Sequence, residues 1–157
     1  MRYDQFNLPE SLLKLHSDTT SALNSVTAYG PGFVEINKIR FDHAIAFGPQ
    51  GDIARWAARD PSDISSDLLF SAARLSLAPA DPMAFLDSDD ARPTVVGERP
   101  EVLLVGTGDR HIMLERNILD PLIRAGVGVE CMSTAAAART YNVLMAEGRL
   151  VIAALIP

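Results

Sequence analysis

The apolar positions of this chain are concentrated at its C-terminal end. Between Glu101 and Pro157 three nearly continuous apolar runs occur, Val102-Leu103-Leu104-Val105, Val127–Met132 and Leu150–Ile156. Runs without polar alternation predict strands buried on both faces, as in a parallel sheet covered by helices. The segments between them have helical spacing. Near 116–125, Ile118, Leu119, Leu122 and Ile123 form one expected buried side, and Gly126 marks the stop. Pro121 predicts that this helix is short, kinked, or restarted with Asp120 as its cap. From Thr134 to Glu147, Ala137, Ala138, Tyr141, Leu144 and Met145 share one side, with Arg139, Asn142 and Ala146 opposite. Ser133-Thr134 supplies the N-cap and Gly148 the stop. The end of the chain therefore reads as a βαβαβ unit.

The N-terminal half has a different rhythm. Residues 24–57 alternate over short distances and read as an antiparallel β meander, with turns at Gly30-Pro31-Gly32, Asn37-Lys38 and Gly48-Pro49-Gln50-Gly51. Alternation predicts one fully buried face, with Trp56 closing the core at a sheet edge. Residues 63–77 predict a helix capped by Asp63 or Ser65 and ended by Pro79. Residues 79–100 carry four prolines and the run Asp87-Ser88-Asp89-Asp90, which predicts a helical turn near Met83–Leu86 and then an exposed loop. Residues 1–13 read as a partly ordered arm and 14–157 as a single α/β domain.

Composition narrows the function classes. With 157 residues the chain suits one domain, and at 48% hydrophobic residues it can bury a substantial core. A net charge of −6 gives no basic footprint for nucleic acid. No apolar stretch reaches the ~20 residues of a membrane-spanning helix, and Asp4, Glu10 and Asp18 argue against a secretory or transit leader. The lone Cys131 permits no intrachain disulfide, which fits a reducing, cytoplasmic setting.

Candidate chemistry gathers at the carboxyl ends of the predicted strands. Gly106-Thr107-Gly108 follows a buried strand, as the first glycines of a dinucleotide fingerprint do, with Glu130 near the place of a ribose-binding acid. His111 stands where the third glycine belongs, so a strand-end turn needing positive φ is the competing reading. The amides of Gly106, Thr107, Gly108, Ser133 and Thr134 could hold an anion, with Arg110 and Arg139 adding charge; plain helix capping explains Ser133 and Thr134 equally. Cys131, ahead of a helix N-terminus and within possible reach of His111, could be an activated nucleophile or a packed thiol. No phosphate-loop lysine motif and no paired histidines occur, so neither a cofactor nor a metal is expected.

The run Thr134–Arg149 with Arg139-Thr140-Tyr141-Asn142 at its centre, the preceding Gly126–Ser133 and Gly106-Thr107-Gly108, together with Tyr29-Gly30, Gly32–Asn37 and Trp56, resembles small bacterial proteins of unknown function related to mitochondrial respiratory complex I assembly factor 3. The likeness covers roughly residues 14–157 and is weakest over 79–100. It implies a three-layer α/β fold, with a central mixed sheet of about five strands between helices on one side and a β-plus-α layer on the other. It implies no established activity, cofactor or catalytic residue. The expected function is therefore a non-enzymatic binding or assembly-factor-like protein, a monomer or homodimer with protein partners such as respiratory complex components. Arg139 and Asn142 are the candidate interaction surface. The alternative is a small-molecule or anion site, with or without catalysis, at the carboxyl edge.

Overall fold

The computed structural model describes residues 22–79 and 93–157. The expected N-terminal arm, the helical turn near Met83–Leu86 and most of the 79–100 loop lie outside the described residues.

The chain builds a central five-stranded mixed sheet from β4 (Ile45–Phe47), β5 (Ala54–Arg55), β8 (Val102–Thr107), β9 (Gly128–Met132) and β10 (Val151–Ile156), in the order β5-β4-β10-β8-β9. β10 is parallel to β8 and antiparallel to β4; β8 is parallel to β9. Both β8 and β10 are buried along their whole length, as their unbroken apolar runs require. α2 (Arg116–Arg124) connects β8 outward to β9, and α3 (Thr134–Ala146) connects β9 back past β8 to β10. Right-handed crossovers in opposite directions place the two helices on opposite faces of the sheet.

Each face has its own core. α1 (Ser66–Ala72), α2 and Trp56 cover one, burying Leu69, Phe70, Leu103, Val105, Leu122 and Ile152. On the other, α3 and a separate antiparallel sheet of β1 (Val26–Gly30), β2 (Phe33–Ile36) and β3 (Ile39–Phe41) bury Val34, Ile36, Phe47, Leu104, Tyr141 and Leu155. This is the expected three-layer α/β arrangement with a mixed five-stranded centre. The β2–β3 hairpin turns at Asn37 and Lys38, at φ 50° and 66°, the left-handed pair that matches strand twist in two-residue hairpins.

Five local expectations change. The single meander divides: β1–β3 form their own sheet, while β4 and β5 join the central one, so β4 is buried on both faces. α1 is shorter than expected and ends well before Pro79. Arg74 adopts φ 58° and stops it, and its guanidinium donates to the carbonyls of Gln50 (3.1 Å) and Asp52 (2.7 Å). Ser76–Leu77 (β6) then pairs with Val95–Val96 (β7), a two-residue ladder too short to show a period. α2 is continuous through Pro121, is preceded by Glu115 as cap residue rather than restarted at Asp120, and leaves Ile123 exposed. β9 is an edge strand, exposed at Gly128 and Glu130, not a strand covered on both faces.

α3 joins the layers by polar contacts as well. The Asn142 side chain lies along β1 as a further strand would. Its Oδ1 accepts from the Val26 amide (2.9 Å) and its Nδ2 donates to the Val26 carbonyl (2.8 Å). Next to it the buried Tyr141 hydroxyl donates to the Asn24 carbonyl (2.9 Å), and burial holds that hydroxyl's pKa well above its ordinary value. Asn24 in turn fixes the 48–51 turn, its Nδ2 donating to the carbonyls of Gly48 and Gly51 (3.0 and 2.9 Å). Replacing Asn142 by alanine removes both partners of Val26. The expected loss is about 1–3 kcal/mol in urea unfolding, with faster hydrogen exchange at the Val26 amide. An unchanged midpoint and unchanged Val26 protection would show that the contact does not hold β1.

Candidate functional site

In an open α/β sheet, ligands bind beyond the carboxyl ends of the strands, where successive connections leave toward opposite faces. Here the strand order reverses at β8, with β9 on one side and β10 on the other, so that crevice lies at the carboxyl end of β8. Both Gly106 and Thr107 belong to β8 itself, which corrects the expected three-residue turn; only Gly108 has positive φ, 85°.

Thr107 occupies the crevice. Its hydroxyl, on a residue only 3% exposed, lies 2.6 Å from the Arg110 carbonyl and 3.1 Å from the Met132 carbonyl, and accepts from the Ile112 amide at 3.0 Å. The single proton can serve either carbonyl, so one side chain links the loop after β8 to the end of β9. Thr134 closes the α3 side. Its amide donates to the Gly108 carbonyl (2.9 Å), and its hydroxyl accepts from the Gly108 amide (2.9 Å) and donates to the Ile156 carbonyl. Gly106 allows this closeness, since a Cβ there would stand 2.8 Å from the Thr134 hydroxyl and 3.0 Å from its Cα. Ser133 caps α3, its hydroxyl accepting from the Ala136 amide at 3.4 Å.

The expected anion cradle is thus occupied from within: the Gly108 and Thr134 amides bond the protein's own hydroxyl and carbonyl. Beside them remains a small hollow of about 240 Å³ between Tyr29–Pro31, Gly108, Asp109, Thr134 and Pro157, where Asp109 adds negative charge. Arg110 is exposed on the loop and forms no ion pair among the described residues. Arg139 is exposed, but its guanidinium donates to the Tyr29 hydroxyl (2.9 Å), and Asn142 is engaged by β1. The two candidate surface residues therefore bind the N-terminal sheet to α3.

Of the two readings of Cys131, the structure favours the packed thiol. Its thiol is half-buried on β9, and burial pushes its pKa up, with the Leu114 backbone opposing and Glu130 adding to the rise. His111 is exposed and makes no hydrogen bond to it among the described residues. Glu130 is exposed on the edge strand. Among the described residues no group of acids, histidines and cysteines could hold a metal ion, and no helix is long and apolar enough to cross a membrane.

Two features escaped sequence reasoning. One is the outer edge of β9. Because the Gly128 amide bonds the Glu101 carbonyl on the β8 side, alternation turns the N–H and C=O groups of Val129 and Cys131 outward. No described strand pairs with them. Ile112 and Met113 are exposed on the loop after β8, Met113 at 80%. The other is a hollow at the β4–β5 end of the sheet's carboxyl edge, around His43 and Arg55. Neither has a local sequence signature, since strand order and tertiary approach create both.

Together these features define a small three-layer α/β protein with a ligand crevice closed by its own threonines. The chain belongs to the family of proteins of unknown function designated DUF498/DUF598, whose pattern matches residues 26–156. Two solved relatives share the fold. A protein from Bordetella parapertussis is 49% identical with a TM-score of 0.71, over 88% of this chain and 98% of that one. The solution structure of a Bordetella pertussis protein described as an Mth938-like domain is 54% identical with a TM-score of 0.68, over 92% of each chain. Among curated proteins, NADH dehydrogenase [ubiquinone] 1 alpha subcomplex assembly factor 3 of Xenopus tropicalis is 48% identical over 63 residues, 40% of this chain and 34% of that protein. The human protein of the same name is 44% identical over 59 residues, 38% and 32% of the respective chains. The matched stretch thus spans about a third of the length of these assembly factors.

Two measurements check the site. Gly106→Ala forces the added methyl against the α3 backbone, and Thr134→Val leaves the Gly108 amide without its acceptor. Each is expected to cost about 1–3 kcal/mol in denaturant unfolding; wild-type midpoints in both would refute the closure described. At neutral pH the raised pKa leaves less Cys131 thiolate than an unstructured cysteine has. Iodoacetamide should therefore label it more slowly than a short cysteine peptide, and equal or faster labelling would restore the activated nucleophile.

Proposed function

We propose that this chain is a non-enzymatic, assembly-factor-like binding protein that recognises an extended protein segment along the outer edge of β9. The observation that carries the role is the likeness to proteins named as assembly factors of NADH dehydrogenase, at 48% identity in the matched stretch. A partner belonging to a respiratory membrane complex fits that likeness. The closed crevice supports binding by surface rather than chemistry at the switch point, because the groups that would orient a substrate there are engaged internally.

The edge supports the mode of recognition. The outward groups of Val129 and Cys131 can pair with an added strand, and Ile112 and Met113 offer apolar surface nearby. Glu130 points to the α3 face, opposite Val129 and Cys131, and favours a basic residue in the partner at that level.

The test uses Val129→Pro, which deletes an outward N–H without removing a β8 bond, a substitution that edge strands accept. Tagged wild-type chain, captured under mild conditions and analysed by mass spectrometry, is expected to bring down a defined protein partner, and Val129→Pro to lose it while keeping the wild-type circular dichroism spectrum. Absence of any reproducible partner would overturn the assembly role. Retention of the same partner by folded Val129→Pro would overturn the edge as its site.

A further inference from the structure

We propose that the hollow at the β4–β5 end of the carboxyl edge binds a small molecule carrying one oxyanion head, a carboxylate or a phosphate. The hollow has a volume of about 360 Å³ and is lined by Asp42, His43, Arg55, Trp56, Arg59 and Pro157 among others, within the range of small-molecule sites. It lies across β10 from the threonine-closed crevice, since antiparallel β4 starts and β5 ends beside the last residues of β10. This site is independent of the edge of β9 and of any protein partner.

Arg55 carries the argument. Most arginines among the described residues have a visible occupation. Arg74 and Arg99 donate to carbonyls, Arg139 to Tyr29, Arg40 stacks on Phe33 at 3.8 Å, and Arg116 and Arg149 pair with carboxylates. Arg55, exposed at the end of β5, shares with Arg110 and Arg124 the lack of a side-chain hydrogen-bond or ion-pair partner among the described residues, and of these three it is the one that lines the hollow, together with Arg59 and His43. Asp42 does not neutralise it at contact distance. That carboxylate lies 3.2 Å from His43 Nδ1, and its pKa is held below the ordinary value first by His43, with Arg55 a distant contributor. Arg59 is tied to Asp63 through Nε at 3.4 Å, which leaves its terminal nitrogens available. A guanidinium presents several donors in one plane and suits the two oxygens of a carboxylate or phosphate.

The remaining lining sets limits on the ligand. Asp42, its side chain 87% exposed, repels a second negative charge on its side of the hollow. Ala44, Ala57, Ala58 and Ile156 supply apolar wall. The fitting ligand therefore has a single anionic head and a short uncharged body. A polyanion such as a nucleoside triphosphate does not fit this charge pattern.

The test is titration of the full ¹⁵N-labelled chain with sodium butyrate and, separately, sodium phosphate, each against sodium chloride at matched ionic strength. The expected result is saturable amide shifts confined to the residues around the hollow, 42–44, 55–59, Gly32 and Ile156, with the anion that saturates at the lower concentration identifying the head group. In Arg55→Gln, affinity should fall about tenfold, the loss of one charge-assisted contact, while distant amides keep their positions. Arg124→Gln, on α2 and outside the hollow, should bind as wild type. Shifts no larger than those of chloride, shifts that do not saturate at tens of millimolar, or unchanged affinity in Arg55→Gln would each overturn the proposal.

Discussion

The closeness of α3 to the ends of β8 and β10 is the constraint on which the other contacts depend. Gly106 has no side chain, so the first residue of α3 can approach the strand. Thr134 then satisfies the Gly108 amide and the Ile156 carbonyl with one hydroxyl, in a position only 7% exposed. Polar groups so deeply buried are costly unless paired, so this pairing fixes the helix at one place. Farther along the same helix, Ala137 and Ala138 keep it close to the sheet, and Tyr141 packs edge-on against Phe47 with ring centroids 4.7 Å apart. Asn142 and the Tyr141 hydroxyl then reach β1 and Asn24, and Asn24 holds the 48–51 turn. The N-terminal sheet is thus attached through a helix that the glycine has allowed to seat.

The same contacts account for the departure from a nucleotide-binding sheet. In such sheets the glycines after the first strand open space for a pyrophosphate, and the helix N-terminus faces it. In this chain the space beside Gly106 is filled by Thr134, so the glycine serves packing between helix and strand. Thr107 closes the crevice on the β9 side. Gly-Thr-Gly after a buried strand is compatible with either outcome, and the choice depends on residues 25 or more positions away. His111 in place of a third glycine was the local sign that the nucleotide arrangement is not formed.

What could be read in the sequence was what depends on neighbours along the chain. The unbroken runs of β8 and β10, the span of α3, its Ser133 cap and its stop at Gly148 with φ 75° all follow from local pattern. Strand order does not. Val127–Met132 looks like β8 in composition, but its place at the rim decides that Glu130 is exposed and Cys131 half-buried. The end of α1 was misread because Arg74 does a glycine's work there, and the carbonyls that steady it come from a turn more than 20 residues earlier. Asn142 read as a surface residue because nothing in its own helix shows that β1 lies against it. The hollow around Arg55 is assembled from the approach to β4, the exit from β5 and the end of β10, so no spacing rule could have gathered it.

The edges of the two larger sheets are unequal, and the inequality bears on partner choice. β5 offers only two residues and β3 three, too little for a stable added strand; β1 has five, but Asn142 already takes the outward groups of Val26, whereas the five of β9 have no such partner among the described residues. Long open edges invite pairing with another copy unless something opposes it. Symmetric antiparallel pairing that used the outward groups of both Val129 and Cys131 would centre on Glu130. It would set two like carboxylates opposite each other at the closest spacing that an antiparallel ladder contains. Glu130 thus opposes self-pairing in the one register that satisfies all four outward groups, while favouring a strand with a basic residue at that level. Under the proposed function, such an edge would favour a different chain over a second copy.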